Sequence, residues 1–404
     1  MKYSAQEVIQ YVSEEDVKFI RLAFCDIYGK QKNISIMPGE LVRAFEYGIA
    51  IDASAIEGFG DETHSDLFLH PDPATLSVLP WRPEHGRVVR MFCSITHSDG
   101  SVFECDSRSI LVKAVEYARA AGIEFSFGAE MEFYLFKLDE NGDKTYIPYD
   151  DAGYMDIAPE DRGENIRREI CLTLEQMGIR PESSHHEEGP GQNEIDFRYS
   201  DALSAADNAM TFQTVVKTVA RCNGLWADFS PKPLEGKPGS GLHINMSAKN
   251  DAQDDLLSYL IAGVLEKVPD MTAFLNPIES SYARFGVSKA PKYISWSREN
   301  RSQLVRVPAA VGEYRRAELR SPDPSANPYL AFALLIYAGL YGIQNKLTPP
   351  PAADINLFTA DADTLKNFKK IPDSLENAIS VMRESSFIKE HLPALVIEIY
   401  TKRK

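Results

Sequence analysis

Two glutamates alternate with apolar residues in the segment from Gly128 to Phe136, a pattern typical of a β-strand. Side chains alternate between the two faces of a strand, so Glu130 and Glu132 lie on the same face. Two carboxylates that point into an apolar stretch are costly, because burial and mutual repulsion both oppose their ionisation. A bound divalent cation would remove that cost. For this pair alone, a solvated sheet face or neutralisation by arginine is the alternative explanation.

The composition restricts the possible partners and location. The 404 residues are enough for one large domain or two. A formal net charge of -16 argues against nucleic acid or an anionic membrane as a partner. Five cysteines without a CxxC pair predict neither a disulfide framework nor a zinc cluster, and fit a reducing cytoplasm. No signal peptide is expected, and the longest uncharged apolar stretch, 328–343, is shorter than the ~20 residues of a membrane span and predicts a core helix.

The pattern changes along the chain from strands to alternating helices and strands. Residues 1–102 are turn-rich and predict a small β-rich domain with one or two helices. A helix beginning after Asp106 and ending at Gly122 marks the change, so we place a second domain at 103–404. Its strands carry polar residues at every second position, which favours an antiparallel sheet with an open polar face in an α+β fold. Two helices are expected after the prolines at 349–351.

Three later segments repeat this polar alternation: Glu194 with Asp196 after a Gly-Pro-Gly turn, His243 with Asn245 and Ser247 after a glycine-rich loop, and Glu318 between Arg316 and Arg320. Taken singly, such a histidine is more often structural, and such a glutamate forms an ion-pair ladder. Taken together, five or six acids and one histidine on polar strand faces are hard to explain as structure. Oxygen-rich ligation with one imidazole suits Mg²⁺ or Mn²⁺ better than zinc.

Clustered arginines accompany these acids: Arg301, Arg306, Arg316 and Arg320. Paired metals beside arginines are what phosphoryl transfer needs, because both neutralise charge on the transferred group. No GxxxxGK[ST] motif occurs, so a nucleotide would not lie on a P-loop. The sequence therefore indicates a metal-dependent phosphoryl transfer.

These motifs resemble the glutamine synthetase family, specifically its bacterial type I enzymes, over essentially the whole chain. The matching stretches are 52–59, 105–108, 128–136, 185–197, 231–233, 239–243, 300–302 and 316–329. The resemblance implies a small N-terminal β-grasp domain and a large catalytic domain with a curved antiparallel sheet flanked by helices. It also implies that ATP activates the γ-carboxylate of glutamate to an acyl phosphate, which an amine then attacks, in a homododecamer of two hexameric rings.

The same resemblance assigns roles to individual residues. One metal would be held by Glu132, Glu187 and Glu194, and the second by Glu130, His243 and Glu318. The substrate carboxylate would be bound by Gly239, Arg284 and Arg320, and the nucleotide by Ser247, Arg301, Arg306 and Arg316. Asp52, donated by a neighbouring subunit, would deprotonate the amine, and Arg301 would also act in catalysis. A turn cap is the structural alternative for Asp52.

Three positions depart from the family pattern. Lys289 stands where the flap usually has a glutamate, Ala55 replaces a serine, and Pro238 replaces an asparagine. A site that exchanges an anion for a cation should attract ammonium less. Two interpretations follow: a glutamine synthetase with a rebuilt flap, or a γ-glutamylamine ligase that uses another amine or a related acid.

Two further functions belong to other classes. A non-catalytic scaffold or nitrogen sensor would not need the complete set of costly buried carboxylates. A binuclear metallohydrolase would not need the arginine cluster, and ATP dependence of turnover would distinguish it.

Overall fold

The structure is a computed structural model. It describes residues 3–60, 63, 65–82, 85–252, 255–310 and 312–403. Within these ranges the chain forms two sheets, one before and one after the predicted domain boundary.

The first part of the chain contains a mixed sheet with two helices. These elements are α1 (Ala5–Glu14), β1 (Val17–Cys25), β2 (Gln31–Ile36), α2 (Leu41–Tyr47), β3 (Ile49–Asp52), β4 (Asp66–Pro71), β5 (Ser77–Val78) and β6 (Arg87–Thr96). The strand order is β2-β1-β6-β4-β3, with β5 also paired to β6. The two central strands β1 and β6 are parallel, whereas the other pairs are antiparallel. The predicted β-rich unit with one or two helices is therefore confirmed.

The rest of the chain surrounds a ten-stranded sheet. Its helices are α3 (Ser107–Ala120), α4 (Glu164–Gln176), α5 (Ala202–Cys222), α6 (Leu257–Leu275), α7 (Glu279–Tyr282), α8 (Pro328–Gln344), α9 (Ala362–Leu365), α10 (Leu375–Glu384), α11 (Ser386–His391) and α12 (Ala394–Thr401). Its strands are β7 (Glu124–Leu138), β8 (Lys144–Pro148), β9 (Pro181–His186), β10 (Gln192–Phe197), β11 (Ser200–Asp201), β12 (Leu225–Asp228), β13 (Leu242–Lys249), β14 (Trp296–Arg298), β15 (Val305–Val307) and β16 (Ala317–Leu319).

The long strand β7 is the axis of this sheet, whose main order is β14-β15-β16-β13-β7-β10-β9. All pairs are antiparallel except β14 with β15. Phe127, Ala129, Met131 and Phe133 on one face of β7 are buried in the apolar core. Because strand side chains alternate, the glutamates between them point to the other face. The α+β fold with a polar sheet face is confirmed.

Local sequence signals account for the helix ends. The Asp106 carboxylate accepts a hydrogen bond from the Arg108 amide and caps α3, as predicted. The predicted core helix is α8, which is buried along nearly its whole length. The expectation of two helices after residue 351 is wrong, because the structure has four in that region. Ser385 caps α11 directly after α10, and Pro393 precedes α12. Both residues have extended backbone angles, which separate each helix from the one before it.

Arg108 on α3 forms ion pairs with both parts of the chain. The Arg108 Nη2 atom lies 2.8 Å from Asp72 in the first part and 3.0 Å from Asp207 on α5. The boundary between residues 102 and 103 stays a prediction.

The C-terminal helix α12 packs against its own chain with one face. Its apolar sequence is consistent either with a contact between rings or with packing inside its own subunit. The Tyr400 hydroxyl donates to the Ile27 carbonyl over 3.2 Å, and its ring lies 4.4 Å from that of Phe274. Leu395, on another face, is exposed. In the part of the chain that the structure describes, no helix is long and apolar enough to cross a membrane.

Helices α6 and α8 approach each other so closely that Gly263 leaves no room for a side chain. A Cβ atom there would lie 2.1 Å from the Ala338 carbonyl oxygen. We expect Gly263→Ala to lower the free energy of unfolding by about 1–3 kcal/mol, because backbone must move to admit the methyl group. Gly39→Ala, where a Cβ atom would meet nothing within 4 Å, is the control in thermal unfolding. Equal melting temperatures for the two variants would contradict this close packing.

Candidate active site

Strand register brings the predicted acids together. Glu132 on β7 is opposite Glu194 on β10, and Glu130 is opposite both Asp196 on β10 and His243 on β13. Five of the six predicted ligands line one cavity of about 540 Å³: Glu130, Glu132, Glu187, Glu194 and His243. The sixth, Glu318, is buried next to His243, whose Nδ1 atom lies 3.8 Å from its Oε1.

The candidate ligands form overlapping groups that share His243 or Glu194. One ligand atom each from Glu130, His243 and Glu318 lie within 4.8 Å of one another. A ligand atom of Glu194 also lies within 4.8 Å of one from Glu132 and of one from Glu187. The structure thus brings together the trio predicted for the second metal, and it places Glu194 beside both other members of the first.

Hydrogen bonds fix the orientation of two of these carboxylates. The Oε2 atom of Glu132 accepts from the Gln192 side chain over 3.0 Å and from the Gly241 amide over 2.9 Å. Its Oε1 atom faces His243 at 4.0 Å. In Glu130, Oε1 accepts from the Asn245 amide group over 2.6 Å, whereas Oε2 faces His243 at 3.5 Å. Each glutamate therefore has one oxygen held by the protein and one directed towards the shared histidine.

The electrostatics indicate an excess of buried negative charge. Burial raises the pKa of Glu194 well above its usual range, and the neighbouring carboxylates, first among them Asp196, add to the rise. Burial also raises the pKa of Asp196 to about 6. For Glu130 burial acts in the same direction, but hydrogen bonds from His243 and Asn245 outweigh it and lower the pKa to about 2. A divalent cation would stabilise the ionised forms, and this donor set of carboxylates with one imidazole fits a hard cation.

Arginines balance part of this negative charge. Arg306 donates to Glu318 Oε2 over 2.5 Å, and Arg320 donates to Glu318 Oε1. Arg316 donates from Nε to Asn245 over 2.8 Å. Among the described residues, the buried Nε atoms of Arg306 and Arg320 have no hydrogen-bond partner. These donors, together with the exposed Arg301 in the cavity wall, can receive an anionic group.

A glycine makes room for Arg284 at the cavity wall. A Cβ atom on Gly239 would lie 2.4 Å from the Pro231 carbonyl oxygen and 2.7 Å from Arg284 Cγ. Arg284 itself is buried, and its Nη1 donates to the Ser321 and Pro322 carbonyls over 3.0 and 3.2 Å. Gly239 therefore lets the loop lie directly against the arginine.

Family models match almost the whole chain. A model described as "Glutamine synthetase, beta-Grasp domain" matches residues 16–98, and one described as "Glutamine synthetase, catalytic domain" matches residues 104–404. The chain belongs to the glutamine synthetase family.

Individual relatives agree with this membership. The chain is 43% identical to a glutamine synthetase from Clostridium saccharobutylicum, over 97% of this chain and 92% of that protein. It is also 43% identical to a glutamine synthetase from Methanosarcina mazei, over 98% of this chain and 92% of that protein. Among solved structures, a GmaS/ADP complex superposes with a TM-score of 0.88 at 26% identity, covering 100% of this chain and 94% of that one. The fold also matches a Plasmodium falciparum glutamine synthetase, with a TM-score of 0.87 at 23% identity and coverage of 100% and 95%.

Besides Glu318, two predicted residues of this glutamine synthetase family member lie outside the described cavity lining of their own subunit. Asp52 ends β3 in the first sheet and is exposed. Its carboxylate accepts from the Ser54 hydroxyl over 2.6 Å and from the Ser54 amide over 2.9 Å, and these bonds lower its pKa. Ser247 lies on β13 beyond Asn245, where it pairs with Ser126. Both roles stay predictions.

Several cavity residues were not assigned from the sequence, and the β10 alternation could have indicated two of them. Gln192, Glu194 and Asp196 share one strand face, yet only Glu194 received a role. The Gln192 side chain also donates to the Gly239 carbonyl over 3.2 Å, so it links Glu132 to the glycine loop. His185 lies opposite Glu194, and its Nε2 is 3.0 Å from Glu187 Oε1. The position of His185 opposite Glu194 follows only from the register of β9 with β10.

Metal binding tests the six-ligand site directly. We expect Glu130→Gln to weaken Mn²⁺ binding roughly tenfold or more, because the substitution removes a charged oxygen ligand. Electron paramagnetic resonance of free Mn²⁺ during a titration measures this change. Glu140→Gln, at an exposed turn residue, is the charge-matched control. An unchanged Mn²⁺ affinity in Glu130→Gln would remove this residue from the ligand set.

Proposed function

We propose that this chain is an ATP-dependent glutamate–ammonia ligase, which forms glutamine through γ-glutamyl phosphate. The observation that carries the proposal is the single cavity in which the acid and histidine clusters face Arg301, Arg306 and Arg316. The relatives that share 43% identity are glutamine synthetases, which favours ammonia over another amine. Intact ligands and arginines also favour a catalyst over a scaffold.

Two Mg²⁺ or Mn²⁺ ions per site are proposed, one held by Glu132, Glu187 and Glu194 and one by Glu130, His243 and Glu318. When bound, such ions neutralise the ATP phosphates and polarise the γ-phosphoryl group. The raised pKa of Glu194 supports this assignment, because burial and the neighbouring carboxylates oppose its ionisation and a bound cation would favour it. The protein contributes the fixed orientation of these carboxylates.

The remaining polar residues divide between the two larger substrates. We assign Arg301, Arg306 and Arg316 to the phosphates, with Ser247 near the nucleotide and Arg301 also stabilising the transferred group. We assign Gly239, Arg284 and Arg320 to the carboxylate of glutamate. The γ-carboxylate oxygen then attacks the γ-phosphorus, ADP leaves, and the resulting acyl phosphate is open to attack by the amine. The ADP complex of the structurally similar GmaS is consistent with a nucleotide in this fold.

The site is proposed to be completed by Asp52 from a neighbouring subunit, in a homododecamer of two hexameric rings in the cytoplasm. Asp52 is exposed in the first sheet and lies outside the described lining of its own cavity, which supports a role across an interface. There its carboxylate would take a proton from the amine. A closed ring also covers strand edges.

Phosphate release from ATP tests the reaction. With glutamate and Mg²⁺, we expect ammonium to support faster release than methylamine, ethanolamine or putrescine. Glu132→Ala is expected to abolish this release and to leave assembly intact, because its carboxylate faces the cavity. If one of the larger amines supports faster release, that amine is the acceptor substrate and ammonia is not. Release that needs neither glutamate nor an amine would refute a ligase.

Mixed oligomers test the shared site. Asp52→Asn and Glu132→Gln should each be inactive alone, whereas co-expression should restore about a quarter of the sites in a ring of randomly mixed subunits. Restoration occurs where an Asp52→Asn subunit receives intact Asp52 from its neighbour. Co-expression of Glu132→Gln with Glu130→Gln is the control, because both changes lie in the same cavity. Absence of any restored activity would place Asp52 in its own subunit's site, whereas full activity of Asp52→Asn alone would place it outside catalysis.

A further inference from the structure

One wall of the cavity has no role in the proposed function. The arginine wall is assigned to the nucleotide, and the wall around Gly239 is assigned to glutamate. The third wall is formed by Tyr154, Met155, Ser183, Ser184, Glu188 and Lys289. Since the larger substrates are assigned to the other two walls, we assign the amine to this third wall.

The ammonium group of Lys289 already occupies a cation-binding position on this wall. Its Nζ atom lies 2.5 Å from Glu188 Oε1 and 5.0 Å from the centroid of the Tyr154 ring. Its positive charge also acts on the Glu187 carboxylate. An aromatic face beside carboxylates is the environment in which proteins hold free ammonium and alkylammonium ions. The protein therefore supplies its own cation to the place where such an ion would bind.

The backbone around Lys289 holds this side chain in a specific arrangement. Ser288 and Lys289 have φ angles of 45° and 63°, a left-handed conformation that residues other than glycine seldom adopt. Two such residues in succession persist only where the surrounding contacts determine the loop shape. The contacts with Glu188 and Tyr154, which come from two other segments, are contacts of this kind.

We propose that Lys289 determines the charge of the acceptor: it fills the cation position at the entrance, so that the amine reaches the acyl phosphate as uncharged ammonia. This inference rests on the proposed function and adds a specificity-determining residue to it. A free ammonium ion would have to displace a tethered one of the same charge. Neutral ammonia meets no such competition.

The reaction balances with neutral ammonia. The nitrogen lone pair forms the new C–N bond, and the C–O bond to phosphate breaks with its electron pair leaving on the phosphate. One proton leaves the nitrogen, passes through Asp52 of the neighbouring subunit in the proposed arrangement, and ends on the phosphate. The products are the amide and hydrogen phosphate, with no additional base consumed. An ammonium ion would have to lose two protons, one of them before it could attack.

Competition by rubidium, an unreactive cation of similar size to ammonium, tests the proposal during turnover at constant ionic strength. In wild-type protein we expect rubidium chloride to leave the KM for ammonium unchanged. In Lys289→Gln and Lys289→Glu the vacated position accepts cations, so the KM for ammonium should fall about fivefold. Rubidium should then become a competitive inhibitor.

Two variants control for charge and position. Lys289→Arg retains the positive charge and should stay insensitive to rubidium. Lys292→Glu makes the same charge reversal three residues away, outside the described cavity lining, and should also show no rubidium competition. Equal rubidium sensitivity in wild type and Lys289→Glu, or an equal effect of Lys292→Glu, would overturn the role of Lys289.

A binding measurement separates this inference from the proposed function. Calorimetric titration with methylammonium chloride, at saturating Mg²⁺ and without ATP, should detect binding to Lys289→Glu and none to wild type. Adding Tyr154→Leu to Lys289→Glu should remove that binding. Binding to wild type, or binding to the double variant, would overturn the cation position. If wild type shows no ammonium-dependent phosphate release, the proposed function fails, whereas the calorimetric result still decides what Lys289 does.

Discussion

Crowding of carboxylates on one face of β7 is the constraint on which the rest of this site depends. Antiparallel pairing sets Glu130 and Glu132 opposite further acids on β10, although like charges directly opposite each other destabilise a sheet. The protein compensates locally with His243, Asn245 and the arginines that hold Glu318. The compensation is incomplete, since the pKa of Glu194 stays raised. A cation bound beside this carboxylate would therefore lower the electrostatic cost of its ionised form.

Local patterns were sufficient to predict much of the fold. The helix α3 follows from the cap at Asp106 and the glycine at 122 that ends it, and the core helix α8 follows from its uninterrupted apolar sequence. The number of helices after residue 351 was not predictable in this way, because short helices restarted at Ser385 and Pro393 take their direction from tertiary packing. Alternation identified which side chains share a face. It did not identify which strands are neighbours.

The candidate site shows the same division between local and non-local information. Glu130 and Glu132 are recognisable within nine residues of sequence, since a polar pair in an apolar strand is a local anomaly. The contact of His185 with Glu194 depends on the register of β9 with β10, and the bond of Gln192 to Glu132 depends on the pairing of β10 with β7. The environment of Lys289 depends on three separate segments. Side chains whose role arises from register or loop packing are therefore the ones that sequence patterns leave unassigned.

The outward position of Asp52 at the end of β3 has a consequence for how activity depends on protein concentration. Under the proposed arrangement, correct folding of one subunit yields a cavity that still lacks its proton acceptor. Dissociated subunits would keep their secondary structure and their metal ligands and yet turn over no substrate. By mass action, dilution alone would then inactivate the enzyme reversibly. Its specific activity would rise with protein concentration until assembly is complete.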